Sequence, residues 1–252
     1  MLDGMTKTIL ITGGSRGIGA ACALLAAARG YRVCINYRTD ADAAASVVHA
    51  IEAGGGAALA LQADIADESG VVRLFAELDA RCGPLHGLVN NAGILARQSR
   101  VEDMDAARIN RIFATNVTGS FLCAREAVLR MSTRRGGRGG AIVNISSRAA
   151  VLGSAGEYVD YAASKAALDA LTIGLSKEVA GEGIRVNGVR PGLIATEMHA
   201  SGGEPGRVER LKTSVPMGRG GEADEVARAV LWLLSEEAAY TTGSFIDVSG
   251  GR

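Results

Sequence analysis

The sequence predicts an α/β fold: a doubly wound parallel sheet of about seven strands, flanked by helices on both faces. Three observations lead there. Short apolar, β-rich runs alternate with helical runs from end to end. The links between them are short, and parallel strands so joined need a helical crossover on one face or the other. A glycine-rich turn, Gly13–Gly19, joins the first strand to the first helix. At 252 residues and 48% hydrophobic content the chain is sized for one such domain, 1–252, and no composition shift divides it.

The elements follow in order. Lys7–Thr12 is a short apolar strand, and Ile18–Arg29, rich in Ala and Leu, is a helix. Arg32–Tyr37 is β-rich. The helix Ala41–Ala53 stops at Gly54, Gly55 and Gly56. Ala57–Gln62 and Gly87–Asn90 read as buried strands around a helix at Asp67–Arg81. A long helix covers Asp105–Thr133, Ala141–Ser146 is a strand, and a second long helix covers Tyr158–Ala180. Ile184–Val189 is a strand, Glu222–Ser235 an amphipathic helix and Ser244–Val248 the last strand. Met198–Pro216 breaks the pattern. Its polar stretch Ser201-Gly202-Gly203-Glu204-Pro205-Gly206 interrupts a helical insert, the makeup of a substrate lid at 198–216.

Composition narrows the function. The chain balances 27 Lys and Arg against 27 Asp and Glu, which argues against nucleic acid or an anionic membrane as the main partner. No apolar run reaches the length of a membrane span. Met1–Thr8 has no signal-peptide layout, and Met5 is a second candidate start. Cys22, Cys34, Cys82 and Cys123 are scattered, as buried thiols in a reducing compartment would be, so a cytoplasmic location is expected. His49, His86 and His199 show no ligand spacing, so no metal site is expected. Arg134, Arg135 and Arg138 read as a solvated turn.

Two constellations carry chemistry. Tyr161 and Lys165 share one helix face, just downstream of Ser146 and Ser147. An ammonium beside a phenol favours the phenolate, which would make Tyr161 a general acid or base. The only lysines are Lys7, Lys165, Lys177 and Lys212, so this pairing stands out in an Arg-rich chain. The second is Thr12-Gly13-Gly14-Ser15-Arg16-Gly17-Ile18-Gly19, where glycines let a pyrophosphate approach the free N–H groups of a helix start. The second strand ends at Asn36-Tyr37-Arg38, with an arginine where NAD sites place an acid. Arg38 and Arg16 near a ribose 2′-phosphate favour NADP (NADPH) over NAD. The two constellations together point to proton transfer coupled to hydride transfer.

These residues resemble the short-chain dehydrogenase/reductase family, in its single-domain branch, over nearly the whole chain. The resemblance implies a Rossmann-like fold and assigns further positions. Gly13, Ser15, Gly17, Ile18 and Gly19 lie in the family's TGxxxGxG turn. Asp64, followed by Ile65, matches the acid that contacts adenine. Asn90-Asn91-Ala92-Gly93 matches NNAG, which shapes the cofactor pocket, and Asn116 matches the Asn of the next helix. Ser147, Tyr161 and Lys165 match the catalytic Ser and YxxxK. Pro191-Gly192-Leu193-Ile194-Ala195-Thr196 matches PGxxxT, with Ile194 and Thr196 holding the nicotinamide carboxamide.

The chemistry implied by the family runs from Ser147 on the substrate carbonyl, through Tyr161 as proton donor, to Lys165 on the ribose, with Asn116 anchoring a water for proton resupply. The Ser147–Tyr161 spacing is one residue longer than the family's commonest, and the loop Arg148–Asp160 must absorb it. Tyr158 lacks a Lys four residues on and reads as packing or substrate loop; His199 is a candidate substrate contact. Arg148, Arg97 and Glu157 are candidate polar lining. The partner is a small carbonyl or alcohol. Alternatives are a 3-oxoacyl-carrier-protein reductase, a glucose-dehydrogenase-like activity, or a non-catalytic NADP sensor. Small residues Ala163, Ala166, Ala167, Ala170 and Gly174, on a helix that the family pairs between subunits, suggest a homotetramer.

Overall fold

Each apolar run of the sequence pairs in parallel with a neighbour. The computed structural model describes residues 6–252, and Met1–Met5, on which part of the leader argument rests, lie outside the described residues. The strands are β1 (Thr8–Ile11), β2 (Arg32–Tyr37), β3 (Ala57–Gln62), β4 (Leu85–Asn90), β5 (Gly140–Ile145), β6 (Ile184–Pro191) and β7 (Phe245–Val248). They form a seven-stranded parallel sheet in the order β3-β2-β1-β4-β5-β6-β7. Ile9 lies opposite Val33 on one side and Gly87 on the other, and Val143 opposite Val89 and Asn187.

The helices are α1 (Gly17–Ala28), α2 (Ala41–Ala53), α3 (Glu68–Cys82), α4 (Ala106–Phe113), α5 (Gly119–Met131), α6 (Ala149–Leu152), α7 (Val159–Val179), α8 (Met198–Ser201), α9 (Arg207–Leu211) and α10 (Ala223–Leu234). Strand alternation divides the core between two faces. Ile9, Ile11, Val33 and Ile35 pack with Cys22, Ala26, Val47, Ile51, Val230 and Leu231 of α1, α2 and α10. Leu10, Cys34, Leu88 and Ile142 pack with Leu74, Phe75, Leu78, Cys123, Ala127 and Met131 of α3 and α5. The four cysteines are buried and free, as read. No helix among the described residues is long and apolar enough to cross a membrane.

Helix starts differ from the sequence reading for a local reason. Asp67 and Asp105 are caps, not first-turn residues: Asp67 accepts from Ser69 N and Gly70 N, and Asp105 from Arg108 N. The long helix read over Asp105–Thr133 is α4 and α5 joined by a π-helical turn, Ala114–Thr118, with Asn116 at its centre. Such a turn widens the helix and re-aims one side chain. The basic turn is not wholly solvated, since Arg134 pairs with Glu182 at 3.3 Å. His86 is structural, its Nδ1 accepting from Thr8 N at 3.0 Å.

A buried polar chain crosses the sheet behind the site. Asn90 Nδ2 donates to Asn144 Oδ1 (3.0 Å), Asn144 Nδ2 to Thr172 Oγ1 (2.9 Å), and Thr172 to Leu168 O (2.8 Å). It ties β4 and β5 to α7, so the two strand ends and the helix bearing Tyr161 keep one relative position. The order of strands reverses between β1 and β4, which opens a cleft at the C-terminal edge. Replacing Asn144 by Leu removes one partner each from Asn90 and Thr172, which keep Ser120 O and Leu168 O; a loss of about 1–3 kcal/mol is expected from a urea melt.

Candidate active site

The cleft has a volume of about 820 Å³ and is lined from both sides of the β1/β4 reversal. At its floor the glycine turn is locked to the end of β4. Thr12 Oγ1 accepts from Asn91 N and Ala92 N, each at 3.0 Å, while Asn91 Nδ2 donates to Thr12 O (2.9 Å) and Gly13 O (3.0 Å). Side chains would break this contact: a Cβ on Gly13 would fall 2.9 Å from Ala92 Cα, and one on Gly19 2.4 Å from Gly13 O. Arg16 is the N-cap of α1 but makes no side-chain cap bond, and the first turn holds no acid. The helix start therefore presents N–H groups to the cleft, the donor set an anion requires.

Gly13, Ser15, Arg16, Gly17, Ile18, Asn36, Tyr37, Arg38, Asp64, Ile65, Asn91, Ala92 and Gly93 all line the cleft on the side of the glycine turn. Arg16 and Arg38 stand on its rim in loose contacts, Arg38 at 3.9 Å from Asp64, and Arg16 at 3.8 Å from Asp40 and 3.9 Å from Glu197. Such exposed, stretched pairs are weak and leave both guanidiniums available. Asn36 is different. It is buried, and its Nδ2 donates to Ala63 O at 2.9 Å, so it braces the ends of β2 and β3. Gly19 and Asn116 are not on the wall but directly behind it.

The reactive side gathers Ser147, Tyr161, Lys165, Pro191, Gly192, Ile194 and Thr196. Alternation after β5 turns the adjacent serines apart: Ser146 is buried and its Oγ donates to Lys165 O (3.2 Å), while Ser147 is half-buried at the cleft and its Oγ accepts from Ala149 N (3.1 Å). Lys165 is buried, its Nζ donating to Ile145 O at 2.7 Å and lying 5.6 Å from the Tyr161 ring centre. Asn116 clamps the loop after β4, accepting from Ile94 N (2.8 Å) and donating to Ile94 O (3.0 Å) and Ser164 Oγ (3.0 Å).

The expected lowering of the Tyr161 phenol is not what this geometry produces. Burial pushes it up to about 12, against a smaller downward pull from Ser147. Burial also brings Lys165 down to about 8. Desolvation outweighs the ion–phenol attraction because both groups sit deep in the cleft wall and the ammonium is turned toward a carbonyl.

The loop between Ser147 and Tyr161 carries the short helix α6 and then a turn at 153–157. Ser154 there has φ +49°, the only positive value at a non-glycine among the described residues. Arg148 lines the cleft, but its guanidinium is engaged: it pairs with Asp247 and donates to Arg252 O at 2.7 Å. Glu157 is also taken. Arg207, buried, donates to Glu157 Oε1 (3.0 Å) and Glu204 Oε2 (2.8 Å), and Gln98 reaches Glu204 at 2.8 Å. This network joins segment 198–216 to the loop before α7. Arg210 and Arg207 hold the Glu204 carboxyl down at about 2. Sequence reasoning missed Arg207; its spacing from Glu204 was a signal, its contact with Glu157 was not.

A glycine-turn cleft facing a Ser–Tyr–Lys cluster at a β1/β4 reversal is the arrangement of a nicotinamide-dependent oxidoreductase. The chain belongs to the short-chain dehydrogenase/reductase family. The model of a family described as enoyl-(acyl carrier protein) reductase matches residues 13–252. The uncharacterized oxidoreductase YgfF of Escherichia coli (strain K12) is 63% identical over 243 residues, 96% of this chain and 98% of that protein. The 3-oxoacyl-[acyl-carrier-protein] reductase FabG of Staphylococcus aureus (strain Mu50) is 38% identical over 247 residues, 98% of each. A short chain dehydrogenase from Burkholderia cenocepacia J2315, solved in complex with NADP, superposes with TM-score 0.89 at 35% identity, covering 97% of both chains.

Replacing Arg207 by Met would leave Glu157 and Glu204 with only the exposed Arg210 as a shared cation. Both carboxylates keep some water contact, so the cost expected is about 3 kcal/mol, the low end for a broken buried pair. A lowered urea midpoint and faster proteolysis within 198–216 would register it.

Proposed function

We propose that this chain reduces a small carbonyl compound with NADPH, and runs the reverse oxidation of the alcohol. The observation that carries the reading is the meeting of Ser147, Tyr161 and Lys165 on one wall of a cleft whose other end is a glycine-cradled helix start. The residues present fit a dinucleotide: side-chain-free positions at Gly13, Gly17 and Gly93, anion-binding N–H groups at α1, and two rim guanidiniums. When bound, NADPH supplies the hydride.

The chain's own groups do the rest. The Ser147 hydroxyl donates to the substrate carbonyl oxygen. The Tyr161 phenol, kept protonated by burial, delivers its proton to that oxygen. Lys165 has one N–H on Ile145 and two left for the ribose hydroxyls. Asn116 positions Ile94 and hence the cleft floor. Ile194 and Thr196 hold the carboxamide. Arg16 and Arg38 each contribute about 1.5–3 kcal/mol toward a 2′-phosphate, which selects NADP over NAD. The complex of the Burkholderia cenocepacia protein with NADP supports that choice. Segment 198–216 is the substrate lid.

Exposed Phe121, Leu129 and Ile173 on α5 and α7, with open space above Gly174, support pairing of that face with a second copy, within a cytoplasmic homotetramer. A second reading, reduction of a 3-oxoacyl thioester, is favoured by the 38% identity to a protein named for that activity.

Tyr161→Phe should cut turnover at least about a hundredfold while NADPH affinity holds, because the phenol moves the proton and not the cofactor. Arg38→Ala should reduce the NADPH-over-NADH preference about tenfold. Absorbance assays with both cofactors and both variants decide it; unchanged turnover in Tyr161→Phe removes the proposed acid.

The pH profile offers a separate check. Lys165 is charged below about 8 and neutral above it. The kcat/KM for NADPH should therefore fall as pH rises through that value. Tyr161 stays protonated over the same range and adds no second limb between about pH 6 and 10.

A further inference from the structure

Two polar atoms at the substrate end of the cleft are buried without a partner, the Tyr158 hydroxyl and His199 Nδ1. Both side chains line the cleft, one from the start of α7 and one from α8. Their hydrogen-bonding characters are opposite. His199 Nε2 lies 2.9 Å from Ile194 O. A carbonyl only accepts, so Nε2 carries the proton, and burial keeps the ring neutral by lowering its pKa. Nδ1 is then a bare acceptor. Tyr158 is 3% exposed, and burial raises its pKa, so its hydroxyl keeps a proton with nothing to receive it. Gln98 lies close by, but its amide N–H groups go to Glu157 and Glu204.

The neighbouring charges are likewise consumed. Arg207 stands over the Tyr158 ring at 5.0 Å, yet its guanidinium is held by Glu157 and Glu204. This corner therefore offers one free donor and one free acceptor, and the cation over the Tyr158 ring, Arg207, is compensated.

We propose that Tyr158 and His199 select substrates carrying a neutral hydroxyl beside the reacting carbon: an α-hydroxy ketone or aldehyde in reduction, a vicinal diol or sugar-like polyol in oxidation. A hydroxyl gives and takes a hydrogen bond through one atom, so it donates to His199 Nδ1 and accepts from Tyr158. A carboxylate would set a second acceptor against Nδ1. A bare methylene would leave both atoms unpaired, and sites with such groups reject the analogue that lacks the hydroxyl. Tyr158 precedes Tyr161 by three residues at the entry to α7, so the selected hydroxyl sits next to the carbon that Tyr161 serves. Neither atom is open to water, so the ligand enters as segment 198–216 moves about Gly202, Gly203 and Gly206.

The inference rests on the cleft being a hydride-transfer site, and the test separates the two. Hydroxyacetone is compared with acetone, and trans-1,2-cyclohexanediol with cyclohexanol, as substrates and, by calorimetric titration of the NADP-saturated protein, as ligands. The hydroxyl-bearing member of each pair is expected to be favoured about ten- to a hundredfold. Tyr158→Phe and His199→Phe should each bring that ratio toward one by weakening the hydroxyl-bearing member. The two variants alter different elements, so a folding defect in one leaves the other decisive. Equal binding of both members by the unaltered protein, or a preference that persists in the variants, overturns the inference whether or not turnover is seen. A binding preference lost in the variants, without hydride transfer, upholds the hydroxyl site and overturns the reductase reading instead.

Discussion

Thr12 holds the cleft together. Its hydroxyl receives two backbone N–H groups from the end of β4, and the Asn91 amide returns two bonds to the turn after β1. The two strand ends lie side by side at the reversal of strand order, where no helix covers the gap. Without this interlock the backbone groups there would face the cleft unpaired, and each buried orphan is costly. Because every exchange is between main chain and a short side chain, the turn has little freedom. The glycines follow from that closeness, since a Cβ at Gly13 or Gly19 would overlap the partner backbone.

The same economy governs the reactive side. Lys165 and Asn116 are buried and bonded to main chain, while Tyr161 and Ser147 line the cleft. The π-helical turn at Ala114–Thr118 is the local cost of reaching Ile94 from a helix. Burial raises the phenol and lowers the ammonium, which favours a protonated phenol over a standing phenolate.

The substrate end follows another rule. There the wall is built from side chains on separate segments, held by Arg207 between Glu157 and Glu204. Ionic contacts of this kind fix geometry more than they stabilise. They also cancel charge near Tyr158 and His199, whose unpaired atoms are the one polar demand left in that corner.

Much of this was legible in the residues. Period and glycine placement marked every strand and the main helices, because parallel strands buried on both faces must be continuous apolar runs. Gly13, Asn91, Ser147, Tyr161 and Lys165 were readable because each motif is local: a turn, a strand end, one helical turn. The caps Asp67 and Asp105 shifted two helix starts by a residue, a difference that only backbone geometry decides. What stayed hidden was long-range. Arg207 meets Glu157 across fifty residues of sequence, and nothing in either neighbourhood announces the contact. Nor does a helical Tyr–Lys pair reveal whether attraction or desolvation sets the phenol's acidity. That balance depends on how much protein surrounds both groups, and surroundings are supplied by the folded chain alone.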